Sequence, residues 1–171
     1  MNCYSGTSTR WGQRCVVSIS VQNQWDLISL DIGCAFLKGL TFEEVAAMNN
    51  TEETVVHFDL PPGGAAILRE IEGYESFDSA RECLQMLKGG FGLKYAPKLF
   101  TDKVSRVFAK YNLKESYAGE EIYLLHENGV LVLICSGHMD DFNAGANVER
   151  YVVHRDDAQG VWRCDGGLEH V

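Results

Sequence analysis

The 171-residue chain has no long apolar run. Its longest, Val130 to Cys135, falls far short of the ~20 residues that a membrane-spanning helix requires. The opening Met-Asn-Cys-Tyr-Ser has no basic region followed by an apolar stretch, so a secretory signal is not expected either. Cysteine is present but unorganised: Cys3, Cys15, Cys34, Cys83, Cys135 and Cys164 form no Cys-x-x-Cys pair and have no histidine nearby at zinc-ligand spacing. That pattern predicts a reduced, intracellular protein with buried thiols. Internal repeats and low-complexity tracts are missing as well. Positive charge is scarce: 15 Lys and Arg stand against 24 Asp and Glu, and the net charge of −9 counts against general affinity for polyanions.

What is there reads as one globular domain. Hydrophobic residues make up 46% and charged residues 23%, ordinary values for a folded protein, and the length suits a single core. The charge is unevenly spread. Between 88 and 114 lie Lys88, Lys94, Lys98, Lys103, Arg106, Lys110 and Lys114, with Asp102 the only acid, so a polyanion would approach this segment. A solvated helix face explains the same charges equally well.

The periodicity predicts a helix over 9–24, then a strand from Trp25 that ends at Asp31, an extended piece over 54–60, and a helix over 79–87. Pro97 opens a helix over 97–113, because proline suits the first turn and Leu99, Phe100, Val104, Val107, Phe108 and Tyr111 follow on one face. Two apolar runs, 122–126 and 130–135, flank Asn128-Gly129, a pair suited to a tight hairpin turn. His138-Met139-Asp140-Asp141-Phe142 follows at once. Adjacent carboxylates beside apolar residues repel unless a cation offsets them, and with Asp31 they can hold one or two Mg²⁺ ions through hard oxygen ligands. Spacing alone leaves open an ordinary exposed turn, of which Asp156-Asp157 is a second example.

Several motifs occur together and in order. Leu30-Asp31-Ile32-Gly33-Cys34-Ala35-Phe36-Leu37-Lys38-Gly39 resembles the first catalytic motif of copia-type retrotransposon reverse transcriptases, and Pro61-Pro62-Gly63 resembles their Pro-Pro-Gly turn. Cys83-Leu84 through Leu87-Lys88, followed by Phe91-Gly92-Leu93-Lys94-Tyr95-Ala96-Pro97-Lys98, is similar to the family's Leu-Tyr-Gly-Leu-Lys-Gln-Ala-Pro-Arg signature. His138-Met139-Asp140-Asp141 stands where the family has Tyr-x-Asp-Asp. The resemblance spans about residues 9 to 145.

It implies an α+β polymerase palm, an antiparallel sheet with helices 9–24 and 97–113 on one face, plus part of the fingers over 1–145; 146–171 is unassigned. It implies RNA-directed DNA synthesis on an RNA or DNA template-primer from deoxynucleoside triphosphates. Asp31, Asp140 and Asp141 would be catalytic, and with the Ile32 carbonyl would ligate two Mg²⁺ ions, which Mn²⁺ can replace. Phe36 would exclude a ribose 2′-hydroxyl, although a ring at that position can equally be core. Amides from Gly33, Cys34, Ala35 and Phe36 would cradle the triphosphate, Phe91 and Gly92 would touch the nucleotide, and Lys94 would lie near phosphates, or else be a surface lysine.

Departures from the pattern are His138 for tyrosine, Tyr95 for glutamine, and Gly89-Gly90. His138 can be read as a general acid or as a ring that packs. No fingers cluster of Lys and Arg precedes Asp31, and 143–171 resembles neither the rest of the palm nor a thumb, so a truncated element is expected. Two other readings fit the residues: a non-catalytic remnant serving as an interaction module, and a Mg²⁺-dependent phosphohydrolase.

Overall fold

Thr9 starts the first helix, α1 (Arg10–Asn23), by accepting a hydrogen bond from the Gly12 amide at 3.2 Å, which satisfies one of the donors a helix start leaves free. The helix stops at Gln24, whose φ of 56° is left-handed, and the chain turns straight into β1 (Asp26–Asp31). Both elements lie where the periodicity predicts them, and Asp31 is the last residue of its strand. The computed structural model describes residues 5–117, 119–147, 151–156 and 161–166. Cys3 and Asp157 therefore lie outside the described residues.

The chain divides into two compact units, Phe36–Lys103, and Tyr4–Ala35 with Val104–Val171. The second unit contains a five-stranded antiparallel sheet in the order β1-β7-β6-β5-β4, so the fold is α+β. Its centre is the hairpin of β5 (Ile122–Glu127) and β6 (Val130–His138), which turns at Asn128 and Gly129 with φ of 50° and 79°. Positive φ at both positions is the type I′ geometry that the Asn-Gly pair predicts. From β6 the chain returns through Met139-Asp140 into β7 (Asp141–Ala146), which pairs with β1; the two-residue β4 (Lys114–Glu115) completes the far edge.

Each face of this sheet has its own helix. On one face Val16 of α1 packs with Ile122 and Ile134. Glycine at 12 and 145 lets the backbones close in: a Cβ on Gly12 would stand 2.6 Å from Ile122, and one on Gly145 would overlap the Ser20 hydroxyl. On the other face Phe108, from the second half of α4 (Ala96–Lys110), meets Tyr123 edge-on at 4.7 Å and Phe142 at 5.8 Å. Along β7, Phe142 and Gly145 are an odd number of residues apart and point to opposite faces. The expectation of both helices on one face is thus corrected, because a helix's own period identifies its apolar side but not the sheet face that side meets.

In the unit Phe36–Lys103, Leu40, Phe42, Val45 and Leu99 form the core, with Met86 and Tyr95 packed against it. α2 (Phe42–Asn49) begins with a reciprocal cap: the Thr41 hydroxyl accepts from the Glu44 amide at 3.0 Å, and the Glu44 carboxylate accepts from the Thr41 amide at 2.8 Å. β2 (Val56–Phe58) falls within the expected extended piece, and the short α3 (Gly64–Leu68) follows the Pro-Pro-Gly turn. The helix expected over 79–87 does not form. Residues 84–86 instead make β3, antiparallel to β2, since pairing Leu84 with Phe58 and Met86 with Val56 offers the segment a partner that an isolated short helix would lack. α4 follows its apolar period but ends at Lys110, three residues early, because Asn112 turns left-handed at φ 61°.

The segment left unassigned by its sequence contains an antiparallel pair, β8 (Tyr151–Asp156) and β9 (Val161–Gly166). Among the described residues no helix is long and apolar enough to cross a membrane. Among the cysteines whose side chains are described, Cys135 is buried as expected, whereas Cys15, Cys34 and Cys83 are exposed free thiols.

Candidate carboxylate site

The register of β1 on β7 sets Asp31 directly opposite Asp141. The Ile32 amide donates to the Asp140 carbonyl at 2.9 Å, so 32 and 140 are a hydrogen-bonded pair and 31 and 141 the adjoining non-hydrogen-bonded one. In that kind of pair the Cα atoms approach to about 4.5 Å and the side chains are at their closest. His138 pairs with Asp141 from the other side. Asp31, Asp141 and His138 therefore form a row across three strands on one face, and all three are exposed. Asp140 lies beside the row in the two-residue turn, also exposed.

Two aspartates directly opposite each other destabilise a sheet through their repulsion, and a cation between them reverses the sign. The donor set, carboxylate oxygens on adjoining strands, suits a hard divalent ion. Among the described residues, however, no group of three or more His, Cys, Asp or Glu side chains is gathered tightly enough to hold a metal ion. The backbone brings the three aspartates together; their carboxylates are not converged.

The turn itself is strained. Met139, the first residue of the two-residue link, has a left-handed φ of 59°, a conformation that favours glycine. A bulky residue there costs of order 1–3 kcal/mol. A two-residue link between paired strands favours a positive φ at its first position, a signal present in the sequence once the two strands are recognised.

After Asp31 the chain turns through exposed Gly33 and Cys34, the latter at φ 56°, into a 3₁₀ turn, Ala35–Lys38, with Ala35 buried. In the unit that begins there, half-buried Phe36 meets Phe91 edge-on, with ring centres 5.6 Å apart at 74°. Phe91 is 72% exposed, Gly92 is left-handed at φ 89°, and Lys94 is exposed. The unusual Tyr95 packs edge-on against Phe42 at 5.7 Å, and a Cβ on Gly89 would stand 3.1 Å from Ala96. Both departures from the resemblance thus serve packing. Of the basic residues between 88 and 114, Lys98 pairs with Asp102 and Lys103 reaches Glu44 at 3.4 Å, whereas Arg106 and Lys110 stay exposed.

One buried polar group escaped the sequence reading. Behind the His138 end of β6, the Tyr123 hydroxyl donates to the Glu121 carboxylate at 3.1 Å and lies 3.0 Å from the Ser105 hydroxyl. Burial pushes the phenol pKa well up; Ser105 opposes the shift and the Glu121 charge adds to it. Glu121 itself is buried at a left-handed φ of 54°. Comparison of the chain with protein-family models, curated proteins and solved structures yields no match.

Proposed function

We propose that the chain carries a nucleotidyl-transfer centre of the copia-type reverse transcriptase kind, extending a primer with deoxynucleotides. The observation that supports this is the direct opposition of Asp31 and Asp141 beside the Met139-Asp140 turn, which joins segments more than a hundred residues apart at one sheet end. Asp31, Asp140, Asp141 and the Ile32 carbonyl would hold the divalent ions. When bound, Mg²⁺ supplies Lewis-acid stabilisation of charge on the transferred phosphorus and lowers the pKa of an attacking hydroxyl.

The reaction forms a bond between the primer 3′-oxygen and the α-phosphorus and breaks the bond from that phosphorus to pyrophosphate, which leaves. The chain's own residues contribute binding and exclusion. Amides of the Gly33–Ala35 turn donate to triphosphate oxygens. The Phe36 ring takes the space of a ribose 2′-hydroxyl, so ribonucleotides are rejected by a clash. Lys94 offers an exposed ammonium to backbone phosphate.

The test is primer extension by the purified chain on an RNA template with deoxynucleotides and Mg²⁺. Extension should appear and fall roughly a hundred-fold or more in Asp140→Asn, as expected from the several kcal/mol of charge stabilisation at such a centre. Extension that survives Asp140→Asn overturns the reading. Absence of extension with Mg²⁺ still bound indicates a non-catalytic remnant, and template-independent phosphate release indicates a phosphohydrolase.

A further inference from the structure

Phe91 makes little sense as a core residue. It is 72% exposed, it stands between Gly90 and the left-handed Gly92, and the ring it touches is Phe36, met edge-on at 5.6 Å. An aromatic that stays in water gains little from burial, but an edge-to-face contact depends on angle and therefore orients its partner. Phe36 is half-buried in a 3₁₀ turn, so its ring is not fully enclosed. Only a rotamer that presents the face or edge of the Phe36 ring to Phe91 keeps the contact.

We infer that Phe91 is a positioning residue: it holds the Phe36 ring in the orientation that discriminates between sugars, and it acts through that ring. The inference rests on the nucleotidyl-transfer reading and adds a specificity determinant to it. Exclusion by a side chain works only while the side chain stays put. A ring free to rotate away admits the 2′-hydroxyl for the fraction of time it is displaced, so losing the contact lowers the preference for deoxynucleotides over ribonucleotides. An edge-to-face pair is strong enough to bias a rotamer about two- to twelve-fold, and that is the scale of the expected loss.

The experiment measures kcat/KM for a deoxynucleotide and the matching ribonucleotide in primer extension by the wild type, Phe91→Ala, Phe91→Tyr, Phe36→Ala and the double alanine variant. The ratio of the two values should fall about two- to twelve-fold in Phe91→Ala, recover in Phe91→Tyr, and fall no further in the double variant than in Phe36→Ala alone. NMR of the Phe36 ring gives a readout without turnover: its proton shifts should move and its rotamer averaging should increase in Phe91→Ala. Unchanged selectivity in Phe91→Ala, or losses in the double variant that multiply, overturn the positioning role and leave the nucleotidyl-transfer reading intact. A wild type that extends no primer overturns both.

Discussion

Gly137 shows how little room surrounds the candidate site. A Cβ there would stand 2.7 Å from the Phe142 ring and 3.1 Å from the Glu121 carboxylate, and the ring cannot yield without disturbing Phe108. Gly137→Ala should therefore lower stability by about 1–3 kcal/mol in denaturant titrations, without touching an acidic residue of the site. Tyr123 gives a pH prediction of defined sign. Its folded pKa is raised above the ordinary 10.0, so the stability it contributes is complete below about pH 10 and is lost as the pH rises beyond it, where the unfolded chain ionises and the folded one resists. Unfolding free energy measured from pH 9 upward should decline, and Tyr123→Phe should flatten that decline while lowering stability at neutral pH by about 1–3 kcal/mol, because the buried Glu121 carboxylate loses one hydrogen-bond donor.

Among the elements, the close contact of α1 with β7 is open to a double-mutant test. Gly145→Ala should cost about 1–3 kcal/mol by pushing against the Ser20 hydroxyl, and Ser20→Ala in the same chain should recover part of it; additive losses would mean that the helix does not meet the strand there. Elements with local determinants were legible in the sequence. The hairpin was legible because Asn128-Gly129 sets its turn, α1 because Thr9 and the following period set its start, and Asp31 as a strand end because the apolar alternation stops there. The cap of α2 is equally local, set by Thr41 with Glu44 three residues on. What stayed hidden depends on distant partners. Residues 84–86 become a strand only because β2 lies ready to pair, and the sheet face chosen by each helix reflects small residues such as Gly12 and Gly145, whose role appears only once the backbones meet. The three aspartates could be named from their motifs, but their register could not be known before β1 found β7.

At the scale of the whole molecule the thiols report on folding. Native protein treated with a thiol reagent and mapped by mass spectrometry should be modified at Cys15, Cys34 and Cys83, with Cys135 reacting only after unfolding; rapid native labelling of Cys135 would contradict its place between the sheet and the α4 side. On the nucleotidyl-transfer reading proposed above, the exposed Lys94, Arg106 and Lys110 are the candidate phosphate contacts of a chain of net charge −9, and template-primer affinity should then fall with salt by a slope of about 0.9 per phosphate neutralised.

Since β1 is the outermost strand of its sheet, it is zipped to the molecule along one side only. Leu30 and Ile28 share the parity of Ile32 and turn their amide protons inward to β7, while those of Leu27, Ser29 and Asp31 face outward. Deuterium should therefore enter this strand at every second residue, and the outward amides mark where another extended chain could zip on beside the aspartate.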